Sequence, residues 1–215
     1  MAKDSDSGRA LAKARTPASL EHRGNRYGRS EQARQAVLEA ADNLVAEIGY
    51  AAVTIEGIAA RAGVGKQTIY RWWPSKTDVL LEAFLDDAIE YLVPQDSGDL
   101  SRDLRVHLRN LAKFLGQSDA GAVFRALVGQ AQHEPALATR LRKDYLVRQR
   151  EMDRIPLVRA VARGDLPARI DVEFAIDQLV GPIYYRVLVT GEPVTAKFTD
   201  ALVNAFLKWG ASEKT

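Results

Sequence analysis

The residues best suited to chemistry in this 215-residue chain lie in one short run, Lys66-Gln67-Thr68-Ile69-Tyr70-Arg71-Trp72-Trp73. Each step along an α-helix turns about 100°, so Ile69 and Trp73 share one face, and Val64 just upstream joins them. Gln67, Thr68 and Arg71 centre on the opposite face, with Lys66, Tyr70 and Trp72 on its flanks. Arginine and glutamine offer paired hydrogen bonds to guanine and adenine edges. Threonine can touch a thymine methyl or a phosphate, and lysine reaches phosphate. The chemistry these types support is recognition of a nucleic acid; a merely solvated helix face is the plain alternative.

Bond-making chemistry finds little support elsewhere. The three histidines, His22, His107 and His133, are scattered, and the chain has no cysteine. Metal-ligand and nucleophile spacings are therefore missing, and neither metal nor cofactor is expected. Gly65-Lys66 superficially suggests a phosphate loop. That motif needs glycine at 60 and serine or threonine at 67, where this chain has Ala60 and Gln67, and no strand precedes it.

The elements that must hold the polar face are helical. Ser30 is a suitable N-cap for a helix running to Ile48, with Val37, Ala40, Ala41, Leu44 and Ile48 on its apolar side and Gly49 at its C-terminal stop. Thr54 can cap a short helix that turns Ile55, Ile58 and Ala59 inward and ends at Gly63. A second short helix spans residues 65–73 and is stopped by Pro74. Helix, glycine-containing turn and helix together have the layout of a helix-turn-helix. Ser75 opens the next helix, with Asp78 three residues on, and Val79, Leu80, Ala83, Phe84 and Tyr91 form its apolar side.

Beyond Pro94, residues 100–116, 119–132, 135–163, 171–189 and 195–209 all carry helical periodicity, with Pro156 placed to kink the third. The segment 171–189 is apolar around most of its circumference, so it must be buried on more than one side. Packing against a second subunit satisfies that pattern, as does a central position in a single helical bundle. The expected class is all-α.

Charge is unevenly spread. The chain is net +2, yet residues 1–76 hold twelve basic and eight acidic residues, and residues 1–29 alone hold seven and three. Residues 1–29, rich in Gly, Ser, Arg and Lys, read as a disordered basic arm suited to phosphate contacts. The N-terminus lacks the apolar stretch of a signal peptide. No apolar run approaches the roughly 20 residues that span a bilayer, so a cytoplasmic location without membrane contact is expected.

At this point the stretch from Ala33 to about Tyr91 resembles the DNA-binding domain of TetR/AcrR-type transcriptional regulators. The resemblance lies in the spacing of Leu44, Gly49, Thr54, Ile58, Ala59, Ala62-Gly63-Val64, Thr68-Ile69-Tyr70, Trp73, Pro74-Ser75-Lys76 and Leu80. The family usually has leucine at the place of Ile69 and phenylalanine at that of Trp73. The resemblance implies domains at 30–92, binding DNA, and 93–215, binding an effector and dimerising. It also implies that Gly65, Lys66, Gln67, Thr68, Tyr70, Arg71 and Trp72 face DNA, with Thr54 and Lys76 near phosphates.

On that reading the last two long helices join a homodimer through Ile176, Leu179, Val180, Ile183, Val187, Phe198, Leu202 and Phe206. Candidate residues for an effector pocket are His107, Phe124, Tyr145 and Tyr184. The expected function is a ligand-responsive repressor on a palindromic double-stranded operator, its small-molecule effector unspecified. A constitutive regulator or activator of the same fold is the first alternative, and a helical enzyme the second.

Overall fold

The computed structural model describes residues 21–212, with side chains from Ser30 to Gly210. Residues 1–20, most of the expected basic arm, and 213–215 lie outside the described residues. Among the described residues there is no strand; ten helices follow in order, and none is long and apolar enough to cross a membrane.

Helix α1 (Glu21–Ala52) starts nine residues before the expected Ser30 cap, so residues 21–29 belong to a helix and not to an arm. Nothing in EHRGNRYGR stops propagation: it has no proline, and extending a nucleated helix is cheap. Gly49, at φ 75° and ψ 155°, breaks this helix where its sequence stop was expected, leaving one turn at 50–52. Ile48 departs from expectation. It is 52% exposed, at the end of the regular helix before Gly49.

Short α2 (Ile55–Ala62) and α3 (Lys66–Trp72) follow, then α4 (Lys76–Tyr91). The apolar faces of α1 to α4 close on Val37, Ala41, Ile58, Ile69, Leu80 and Phe84, all fully buried. Tyr91, expected inside, is 62% exposed on the last turn of α4, stacked at 6.3 Å on Phe114.

The remainder comprises α5 (Leu100–Gln117), α6 (Asp119–Ala131), α7 (Pro135–Arg140), α8 (Val147–Arg163), α9 (Val172–Tyr185) and α10 (Ala196–Ser212). Asp99 and Ser118 cap α5 and α6 through their side chains. These two helices approach so closely that a side chain at Gly121 would collide with the carbonyls of Phe114 and Leu115. The segment expected as one helix over 135–163 is interrupted by π-helical turns at Leu141–Leu146, not at Pro156, which sits inside α8. A second π-helical turn, Arg186–Thr190, ends α9.

The helix-turn-helix half rests on the rest of the chain through α6, which packs against both α1 and α4. Asp42 of α1 lies at this junction, and one of its carboxylate oxygens is buried with no partner among the described residues. Burial pushes its carboxyl up to about 7, reinforced by the negative charges of Asp87, Asp119 and Asp86.

Candidate nucleic-acid interface

Local chemistry sets each turn of the helix-turn-helix. The Thr54 hydroxyl accepts the Gly57 amide at 3.0 Å and so starts α2. Gly63 ends it in the left-handed region at φ 67°. Gly65 is extended, and its carbonyl accepts the Thr68 amide at 2.9 Å to begin α3. The Trp73 amide closes α3 on the Ile69 carbonyl at 2.9 Å.

Within that frame the two faces separate as the helical angles require. Ile69 and Trp73 are buried at 0% and 2% exposure. Lys66, Gln67, Tyr70 and Arg71 are exposed, and Thr68 and Trp72 are half-buried at the edge. The two indoles meet edge to face at 5.3 Å. Trp73 faces inward and its Nε1 donates to Glu82 at 2.7 Å, while Trp72 lies under the Arg71 guanidinium at 5.2 Å. The anchor continues beyond Glu82 to Arg34 at 2.7 Å, and Arg34 also holds Asp86 at 2.8 Å. The sequence pattern gave no sign of this chain of charges, since Arg34 lies about fifty positions from Glu82 and Asp86.

Electrostatics divides the basic residues of this half into two kinds. Arg61 forms a two-pronged pair with Glu47, both contacts at 2.6 Å, and Lys66 reaches Glu56 at 3.0 Å. Both cations are solvent-facing and can exchange these carboxylates for phosphates. Lys76 is of the second kind, engaged with the backbone. Its Nζ donates to the carbonyls of Tyr50 and Val53 at 2.8 and 2.9 Å and sits 4.4 Å above the Tyr50 ring. It closes the carbonyl end of α1 and is drawn inward; burial lowers its pKa. Thr54 and Gly65 stay exposed beside α3.

The expected effector residues are brought close together, but as core. His107 is buried and bonds Asp153 at 2.7 Å, and Gln149 donates to the same oxygen at 2.8 Å. Phe124 and Tyr145 are buried with Phe84, and the Tyr145 and Tyr184 hydroxyls lie 3.1 Å apart. Of these four, Tyr145 also lines an open cleft.

The expected subunit contacts differ in burial. Ile176, Leu179, Val180, Ile183 and Phe206 are buried within their own subunit. Val187, Phe198 and Leu202 are half-buried, and the Arg186 guanidinium covers Phe198 at 3.7 Å. An all-round apolar helix is here largely satisfied by its own bundle. The exposed side of α9 and the turn after it is instead Phe174, Asp177, Gly181, Tyr185 and Leu188, one stripe at helical spacing.

The profile of bacterial regulatory proteins of the tetR family matches residues 37–83, and that of the tetracyclin repressor-like C-terminal domain matches residues 94–206. An HTH-type transcriptional regulator of Bacillus subtilis (strain 168), YdeS, is 38% identical over 83% of this chain and 90% of its own. The chain belongs to the TetR family of transcriptional regulators. The crystal structure of the TetR family regulator SCO0332 superposes with a TM-score of 0.70 at 34% identity, covering 82% of this chain and 97% of that one. The DNA-binding transcriptional repressor TetR of Mycobacteroides abscessus is 28% identical over 83% of this chain and 94% of its own. This is a DNA-binding regulator of the TetR family, and family members form dimers. The helix-turn-helix described above lies inside the N-terminal match.

Proposed function

We propose that this TetR-family chain is a homodimeric repressor that places α3 of each subunit in successive major grooves of a two-fold symmetric operator and leaves it on binding a small molecule. The observation that carries the reading is the outward face of α3, where Gln67, Tyr70 and Arg71 are exposed opposite the buried Ile69 and Trp73. Two-fold symmetry of the protein then dictates an approximate palindrome. The repressor sense follows the Mycobacteroides abscessus relative. Ligand response is favoured over a constitutive regulator by an open cleft against α4, the helix that bears on α3.

Gln67→Ala and Arg71→Ala are each expected to weaken operator binding by about 1–3 kcal/mol and to relax preference at one base pair. Lys66→Ala is expected to cost less and to act evenly across sequences, because Lys66 contacts backbone phosphate and gives up Glu56 to do so. Anisotropy titrations against operator and single-base variants test both; equal losses on operator and unrelated DNA for Arg71→Ala would remove it from base reading.

Dimerisation is assigned to the exposed stripe of α9 together with Ala201, Asn204, Ala205 and Lys208, the outward residues of α10. Small residues at Gly181, Ala201 and Ala205 allow helices to approach closely, and nothing lies within 4 Å of a side chain added at Gly181. Leu188→Glu is expected to give monomers in sedimentation and to cost at least about a hundredfold in operator affinity, since the second half-site loses its tethered partner. A Leu188→Glu protein that remains dimeric places the interface elsewhere.

A further inference from the structure

The centre of the C-terminal half is already full. Phe84 stacks on Phe124 at 5.1 Å, and Tyr145 meets the two rings at 4.6 and 5.3 Å. Space lies one layer outward, in a cleft of about 170 Å³ between α4 and the π-helical turns that lead into α8. Leu85, Ala88, Ile89 and Leu92 form one wall, and the buried Tyr145 and Gln149 form the inner side. Exposed Asp144 and Arg148 stand at the rim.

We infer that this cleft is the effector site and that its ligand is an uncharged, single-ring-sized apolar molecule with one hydrogen-bonding group; this rests on the ligand-responsive reading above. Size sets the first limit. An apolar cavity of about 150 Å³ holds one benzene, so the sheltered part of this cleft takes about one ring, and a long acyl chain or a fused three-ring scaffold would project into solvent. Charge sets the second. Asp153, behind the inner wall, is already bonded by His107 and Gln149, and the rim residues Asp144 and Arg148 carry opposite signs. A charge seated past the rim, among the four aliphatic side chains, would be a costly burial.

Polarity at the inner end sets the third requirement. The Gln149 amide, held in place by Asp153, faces the cleft beside Tyr145 and suits one hydroxyl or carbonyl. Two further features mark the place as a site. Ile89 at the wall is 44% exposed, and Val93 beside it 61%, so an occupant would cover apolar surface now in water. The adjacent π-helical turns are a distortion frequent at functional positions.

The wall residues also supply a route to DNA. α4 carries Ser75 at its start and Glu82 in its second turn, and Glu82 grips the Trp73 indole at the end of α3. Asp78 of α4 is paired with Arg140 of α7. A ligand that shifts α4 against α8 therefore bears on the helix that holds the recognition face.

The test is calorimetric titration of the full chain with benzyl alcohol, benzoate and benzylamine, three one-ring probes differing in charge. Ala88→Leu and Ala88→Phe, which fill the cleft to two extents, are titrated alongside. Benzyl alcohol is expected to bind at least about tenfold more tightly than either charged probe, and Ala88→Leu to weaken it by about tenfold. Ala88→Phe is expected to weaken it further. Absence of benzyl alcohol binding up to about 10 mM, equal binding of a charged probe, or unchanged binding to the folded Ala88→Leu protein would overturn the inference. Operator binding by the unliganded wild type, measured in parallel, keeps the outcomes apart: its loss sinks the regulator reading, its presence without probe binding sinks only this site.

Discussion

Trp73→Ala is expected to destabilise the protein by about 3–5 kcal/mol, and Trp72→Ala by less than about 1 kcal/mol. The two rings are neighbours in sequence and touch in space, yet only Trp73 lies in the core, at 2% exposure. Removing it opens a cavity beneath α3 and strips Glu82 of an indole donor, leaving the Arg34 pair as its remaining bond. Trp73→Phe keeps an aromatic ring but loses both the indole N–H and part of the bicyclic ring's volume, with an expected cost of about 1–3 kcal/mol. Operator affinity is expected to fall the other way round. Trp72→Ala loses apolar contact at the rim of the recognition face while the fold stands. Thermal melts and operator titrations of both variants check the pair, and equal destabilisation by the two would show that the helix faces are misassigned.

The second large effect concerns the junction of the two halves. Asp42 is held near pH 7 by burial first, and then by Asp87, Asp119 and Asp86, with one oxygen unpartnered. Its ordinary value is close to 4, so the folded protein binds this proton more tightly than the unfolded chain. Stability contributed by the group is therefore present at low pH and is lost as pH rises from about 4 through about 7. Asp42→Asn removes the charge and is expected to raise stability at pH 8 by about 2–3 kcal/mol, with no gain near pH 4. Denaturant midpoints at the two pH values test this. An equal effect at both would assign Asp42 a role independent of its charge.

Much of the DNA-binding half is legible in its residues because the signals are local. Thr54, Gly63 and Pro74 mark helix boundaries by side-chain and backbone chemistry within four positions, and the facing of Ile69 and Trp73 follows from helical angle alone. Lys76 was less legible. A basic residue after a recognition helix suggests phosphate, whereas its partners, the carbonyls of Tyr50 and Val53, depend on how α1 ends. The same holds for Ile176, Leu179 and Ile183: an all-round apolar pattern says that a helix is enclosed, but not whether by its own chain or by another. The Glu82–Trp73 anchor and the orphaned Asp42 arise from packing between distant segments, which periodicity does not encode.

A selection of bound duplexes from a random DNA library at physiological salt, followed by titration of the enriched sequence, tests the central assignment most directly. The account predicts one two-fold symmetric sequence, bound at least about a thousandfold more tightly than a scrambled duplex, with a loss of about ten- to a hundredfold in Arg71→Ala. No enriched sequence, or an enriched one that Arg71→Ala binds as well as the wild type, would contradict it.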